Sequence, residues 1–252
     1  MRLLHGLFWF LMGVEGLAAE APMKKVDHLR INTANQVRTY AEISEEKGVQ
    51  DMELLCINKE YEEAWFFAPK KGFIEIGIQE TSVTKHGQKT VSANLSYVKN
   101  LLKKHEHVRI YHTHPWSILD VFSDLTPVTI HATSTENIMG RVFRNNALPS
   151  EQDLGGMMTY SLIHRELHPK GSLSCRIVSG QGLTSYGLTS IGREELRFAS
   201  ADQIASLCEE SVRTAVKVKS GNGEAKDIKK ACIMMSSEYI DVTFKKLKLI
   251  MP

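Results

Sequence analysis

The sequence predicts an α/β (α+β) fold: a mixed β-sheet flanked by helices, followed by a C-terminal helical hairpin. Three observations predict it. Short apolar or alternating runs such as FIEIGIQ and HVRIYHTH alternate with stretches of helical periodicity up to about residue 190, the pattern of a layered α/β core. After Gly192 only helical patterning remains. With 42% hydrophobic and 24% charged residues over 252 positions, the chain can bury one sizeable core.

The elements follow in order. Thr33 to Lys47 carries helix formers with a modest apolar stripe, and the apolar run Met52 to Asn58 (MELLCIN) suits a buried strand. Ala64 to Ala68 and Phe73 to Gln79 read as strands joined by the turn Pro-Lys-Lys-Gly. Leu95, Val98, Leu101 and Leu102 recur at helical spacing within Asn94 to Lys104. His107 to His114 alternates, with Val108, Ile110, His112 and His114 on one face and Arg109, Tyr111 and Thr113 on the other. A polar stretch runs from Trp116 to Pro149, too long to be a simple connector and suited to a lid or substrate-gripping loop. A helix opens at Pro149, and Leu173 to Ser179 with Leu183 to Tyr186 form a strand pair around GQG. Helices over Ala201 to Lys217 and Ala225 to Leu247 flank the loop SGNG as an αα-hairpin.

The N-terminus differs from the rest. Arg2 precedes the apolar run LLHGLFWFLMGV and the small-residue stretch GLAAEA, the layout of a secretory signal peptide over residues 1–21, cleaved after Ala18 or Ala19. The run is short of the ~20 apolar residues that span a bilayer, so no stable span beyond the leader is expected. Export to the periplasm or outside the cell is the expectation, with a cytoplasmic location as the alternative. Four cysteines, Cys56, Cys175, Cys208 and Cys232, include no CxxC pair, so a structural zinc knuckle is not indicated. Cys208 and Cys232 lie equally far from Ser220, which would let them form a disulfide across the hairpin. A net charge of +2 without a run of like charges gives no basis for a nucleic-acid partner.

The segment YHTHP carries the chemistry. On a strand His112 and His114 point the same way, and Pro115 ends the strand. Imidazole is a common zinc ligand, and a catalytic zinc keeps three protein ligands and one open position. Downstream, PSEQDL opens a helix on which Ser150 and Asp153 share a face. The same spacing is that of a capping box, and the paired histidines upstream tip the balance toward a site.

HTHP followed by PSEQDL resembles the JAMM motif of the JAB/MPN metallopeptidases, His-x-His-Pro with Ser-x-x-Asp, over about residues 50 to 190. The resemblance implies a JAB/MPN-like domain over residues 22–192 and leaves residues 193–252 as a helical extension. It implies one zinc per chain held by His112, His114 and Asp153, an oxyanion steadied by Ser150, and a glutamate base from an early strand. Glu53, at the mouth of the strand expected from Met52, is the choice for that base over Glu62 and Glu63 in a hairpin turn and Glu75 in mid-strand. The implied activity is hydrolysis of a peptide or isopeptide bond in a peptide or protein substrate, in the bacterial cell envelope. The alternatives are a non-catalytic MPN-like scaffold and a RadC-like protein. The sequence departs from the family in its spacer, which is short there and runs from Trp116 to Pro149 here. Ser123 stands at the usual distance, but Thr126 cannot replace the aspartate. Ser117 and Asp120 leave too little chain to return to the histidines. Ser150 and Asp153 are therefore the expected pair, and the spacer an insertion over the site.

Overall fold

The structure, a computed structural model, describes residues 29–32, 37–40, 43–58, 62–69, 71–83, 89–93, 95–114, 144–219 and 227–247. The leader-like segment, residues 115–143 of the long spacer (with Ser117, Asp120, Ser123 and Thr126) and the loop SGNG lie outside the described residues. Among the described residues no helix is long and apolar enough to cross a membrane.

The fold is mixed α/β, as the alternation of patterns predicts. The strands are β1 (Leu29–Asn32), β2 (Val37–Tyr40), β3 (Ala64–Ala68), β4 (Gly72–Glu75), β5 (Gly77–Val83), β6 (Lys89–Ala93), β7 (His107–His114), β8 (Ser172–Ser179), β9 (Gly182–Leu188) and β10 (Ile240–Lys245). The helices are α1 (Glu45–Asn58), α2 (Leu95–Leu102), α3 (Glu151–Leu167), α4 (Ser190–Phe198), α5 (Ala201–Lys219) and α6 (Ile228–Met235). Eight strands form one sheet in the order β1-β2-β4-β3-β7-β8-β9-β10, and β5 pairs with β6 separately. Every neighbouring pair in the large sheet is antiparallel except β7 and β8, which run parallel.

That parallel pair places the site. Parallel neighbours need a crossover, and here it carries α3, which packs on both β8 and α2. A crossover helix runs back against its strands, so the N-terminus of α3 returns to the carboxyl end of β7, where the histidines are.

The alternation along β7 sorts the core into two layers. Ala64, Phe66, Val108, Ile110 and Ile177 pack with residues of α2, α3, α5 and α6. Trp65, Phe67, Phe73, Tyr111 and Val178 pack instead with Val49, Met52 and Cys56 of α1. The sheet therefore stands between α1 and the other helices. At the start of α1, Glu45 accepts hydrogen bonds from Arg109, Arg176 and Tyr111, and Arg176 also donates to the Tyr111 oxygen at 2.7 Å. These bonds pin α1 to the face that carries Arg109 and Tyr111.

Several sequence expectations need correction. Of the helix expected over Thr33 to Lys47, the described residues include strand β2 and the first residues of α1. The strand expected at Met52 to Asn58 is the second half of α1. A short apolar run has the same composition in a buried strand and in a buried helix turn, and periodicity does not separate them. Phe73 to Gln79 breaks at Ile76, whose N–H bonds to the Ala64 carbonyl. The helix α4 was not foreseen.

The helix expected over Ala225 to Leu247 ends at Met235. Ser236 stops it: its hydroxyl donates to the Cys232 carbonyl at 3.0 Å and accepts from Val242 N–H at 2.9 Å. IDVTFK then alternates buried and outward positions and adds β10 to the sheet beside β9. The tail thus returns to the core and does not end as a hairpin. All four cysteines are free thiols. With the second helix starting at Ile228, Cys232 is buried against the core and is not joined to Cys208.

Candidate metal centre

His112 and His114 end β7 on the face that α3 covers, each only 9% exposed. Their Nε2 atoms lie 3.0 Å apart. Asp153, in the first turn of α3, brings Oδ1 to 3.1 Å from His112 Nε2 and Oδ2 to 3.6 Å from His114 Nε2. The three side chains form one group that can hold a metal ion. Tetrahedral ligands at the 2.0–2.1 Å bonds of zinc stand roughly 3.3 Å from one another, so the observed separations fit such an ion with shifts of a few tenths of an ångström. The donor set of two imidazoles and a carboxylate is that of open zinc sites.

The surrounding contacts aim these ligands. A backbone carbonyl only accepts, so the 2.7 Å contact from His114 Nδ1 to the Asn146 oxygen puts the proton on Nδ1 and leaves the Nε2 lone pair facing the centre. Asn146 belongs to the helical turn at 144–147, which is anchored to β9 where the Thr184 hydroxyl donates to the Ala147 carbonyl at 2.6 Å. The Tyr186 ring stands edge-on to His112, with centroids 6.4 Å apart.

Ser150 and Asp153 also cap their helix. Ser150 N–H donates to Asp153 Oδ2 at 2.6 Å and Asp153 N–H to the Ser150 hydroxyl oxygen at 3.2 Å, a complete capping box. The cap and the site are the same atoms: the box fixes the carboxylate that faces the imidazoles. Ser150 accepts within the box, so this bond does not occupy its hydroxyl proton.

Glu53 lies where a base on this site would not. It is on α1, buried to 3% exposure, on the far side of the sheet from the imidazoles, and burial raises its pKa. Glu62 is the carboxylate beside the histidines, with Oε1 3.9 Å from His114 Nε2. The β3–β7 pairing explains this. Ala64 pairs with His112, and the mutual bonds of Glu63 and Thr113 extend the register by one residue. Glu62 therefore stands opposite His114. The parity rule that reveals the paired histidines also reveals Glu62 once the strand partner is known. Glu75 lies at the end of β4, opposite Trp65. A cavity of about 210 Å³ lined by His107, Arg109, Ser174 and Asp241 sits at the opposite end of β7 and contains none of the cluster.

The electrostatics are asymmetric. Burial opposes ionisation of Asp153, but His112, His114 and the Ser150 N–H hold it well below the usual carboxylate range. Burial alone would lower the His112 pKa; the Asp153 carboxylate outweighs it and raises the value. Burial, followed by the charge on His112, pushes His114 down to about 4. The metal-free pair thus takes up one proton readily and resists a second.

Protons and a metal compete for the same lone pairs. Apparent zinc affinity is therefore expected to fall about tenfold per pH unit below the raised His112 pKa. The slope should steepen near 4, where His114 takes its proton. Competition titrations against a chromophoric chelator measure this. A flat affinity from neutrality down to that value would mean that the imidazoles are not ligands.

Comparison with family models, with curated proteins and with solved structures finds no match to this chain.

Proposed function

We propose that the protein is a zinc-dependent hydrolase of the JAMM type that cleaves a peptide or isopeptide bond, with one zinc on His112, His114 and Asp153. The observation that carries this reading is the buried convergence of those three side chains, aimed by Asn146 and by the capping box. When bound, zinc supplies Lewis-acid polarisation of the scissile carbonyl and acidifies a water. Glu62, beside His114, accepts the proton from the attacking water and returns it to the departing amine; at 3.9 Å it is placed to act through one water. The Ser150 hydroxyl donates a hydrogen bond to the developing oxyanion. Buried His112 and His114 keep bulk water from the ligand atoms. The leader-like pattern of the N-terminal sequence supports a place for this activity in the bacterial cell envelope, on a peptide or protein substrate.

The experiment incubates zinc-loaded protein with a mixture of short peptides and lysine-linked isopeptides, followed by mass spectrometry. Cleavage is expected, with loss on chelation and recovery on adding zinc. Tight zinc binding with no cleavage of either class would favour the metal-bearing scaffold over the enzyme.

A further inference from the structure

Helix α5 ends against the turn that orients His114. The last carbonyls of a helix have no partner within it. Here Asn145 Nδ2 donates to the Lys219 carbonyl at 2.8 Å and Arg144 Nη2 to the Val218 carbonyl at 3.4 Å. In return the Lys219 ammonium donates to the Leu148 carbonyl at 3.5 Å. Leu148 lies two residues after Asn146, which holds His114, and two before Ser150. The half-buried lysine is therefore tied to the turn that carries both Asn146 and Ser150, at the rim of the candidate metal centre.

Two charges flank the centre from opposite sides. Glu62 comes from the β3 side of β7. Lys219 comes from the β9 side, because the turn it bonds through Leu148 is itself bonded at Ala147 to Thr184 of β9. A base that takes a proton from water and passes it to the departing amine needs that amine on its own flank. The acyl portion of the substrate then extends toward the lysine.

We infer that Lys219 is a specificity-determining residue that receives a carboxylate carried on the acyl side of the scissile amide. The inference rests on the hydrolase reading above. An ammonium and a carboxylate form a charge-assisted hydrogen bond, and the neutral scissile carbonyl is already served by the metal and Ser150. The competing role is purely structural: a cation at a helix C-terminus that offsets the dipole of α5.

Two hydroxamates of equal length separate these roles. Succinic monohydroxamate carries a carboxylate on its acyl side where butanohydroxamate carries a methyl group, and both bind through the metal. Calorimetric titration of zinc-loaded wild type should show about tenfold tighter binding of the succinic compound, as a charge-assisted bond provides. Lys219→Gln keeps a donor for Leu148 but removes the charge. It should abolish the preference while retaining zinc and butanohydroxamate binding, and Lys219→Arg should restore part of the preference. Equal binding of the two probes by wild type, or a preference that survives in Lys219→Gln, overturns the inference. Loss of zinc with no binding of either probe by wild type would instead bring down the metal reading beneath it.

Discussion

Zinc should fall from one ion per chain to near zero when His114 is replaced by alanine. Its Nε2 is one of the three donor atoms that converge on the centre. Its orientation is fixed by the Asn146 carbonyl, which keeps its Nε2 lone pair on the centre. Losing an outer partner of a metal ligand typically weakens metal affinity about 10–100-fold, and losing the ligand itself should exceed about 100-fold. Asp153→Asn should act in the same direction, because it removes the charge that draws the cation while leaving a side chain that can still accept from Ser150. Elemental analysis after dialysis reads the result, with circular dichroism to confirm the fold. Equal zinc in wild type and His114→Ala would refute the ligand assignment.

Glu62→Gln should retain zinc and lose turnover by ~10²–10⁴-fold, the usual cost of removing a general base. Glu53→Gln is the control. Burial already disfavours the charged form of Glu53, and the sheet separates it from the imidazoles, so the amide should leave turnover within a small factor. The assay uses whichever peptide or isopeptide the mixture yields. Inactivity of Glu53→Gln beside a fully active Glu62→Gln would place the base on α1 and undo the register argument.

Much of the site is legible in the sequence because its signals are local. His112 and His114 share a face through the two-residue period of a strand, and Ser150 and Asp153 share one through the turn of a helix. That the two pairs meet across the long spacer is shown by the structure, where Asp153 faces both imidazoles. Glu62 was not legible, because its place depends on which strand pairs with β7 and in what register. From sequence it reads as a turn residue, and Glu53 as the mouth of a strand, since MELLCIN has the composition of either a strand or a buried helix turn. β10 went unread for a related reason: its alternation is short and follows a helical stretch, and only pairing with β9 gives it a partner.

The sequence by itself determined the mixed α/β class, strand β7 with its two imidazoles, the β8–β9 hairpin and the capped helix bearing Asp153. Each follows from periodicity or capping within a dozen or so residues, where local sterics and hydrogen bonding dominate. Only the tertiary structure decided which carboxylate faces the His112–His114–Asp153 cluster, which face α1 covers, and that the end of α5 brings Lys219 to its rim. Those outcomes depend on strand order, register and crossover, which join residues far apart in the chain, and no local pattern encodes them.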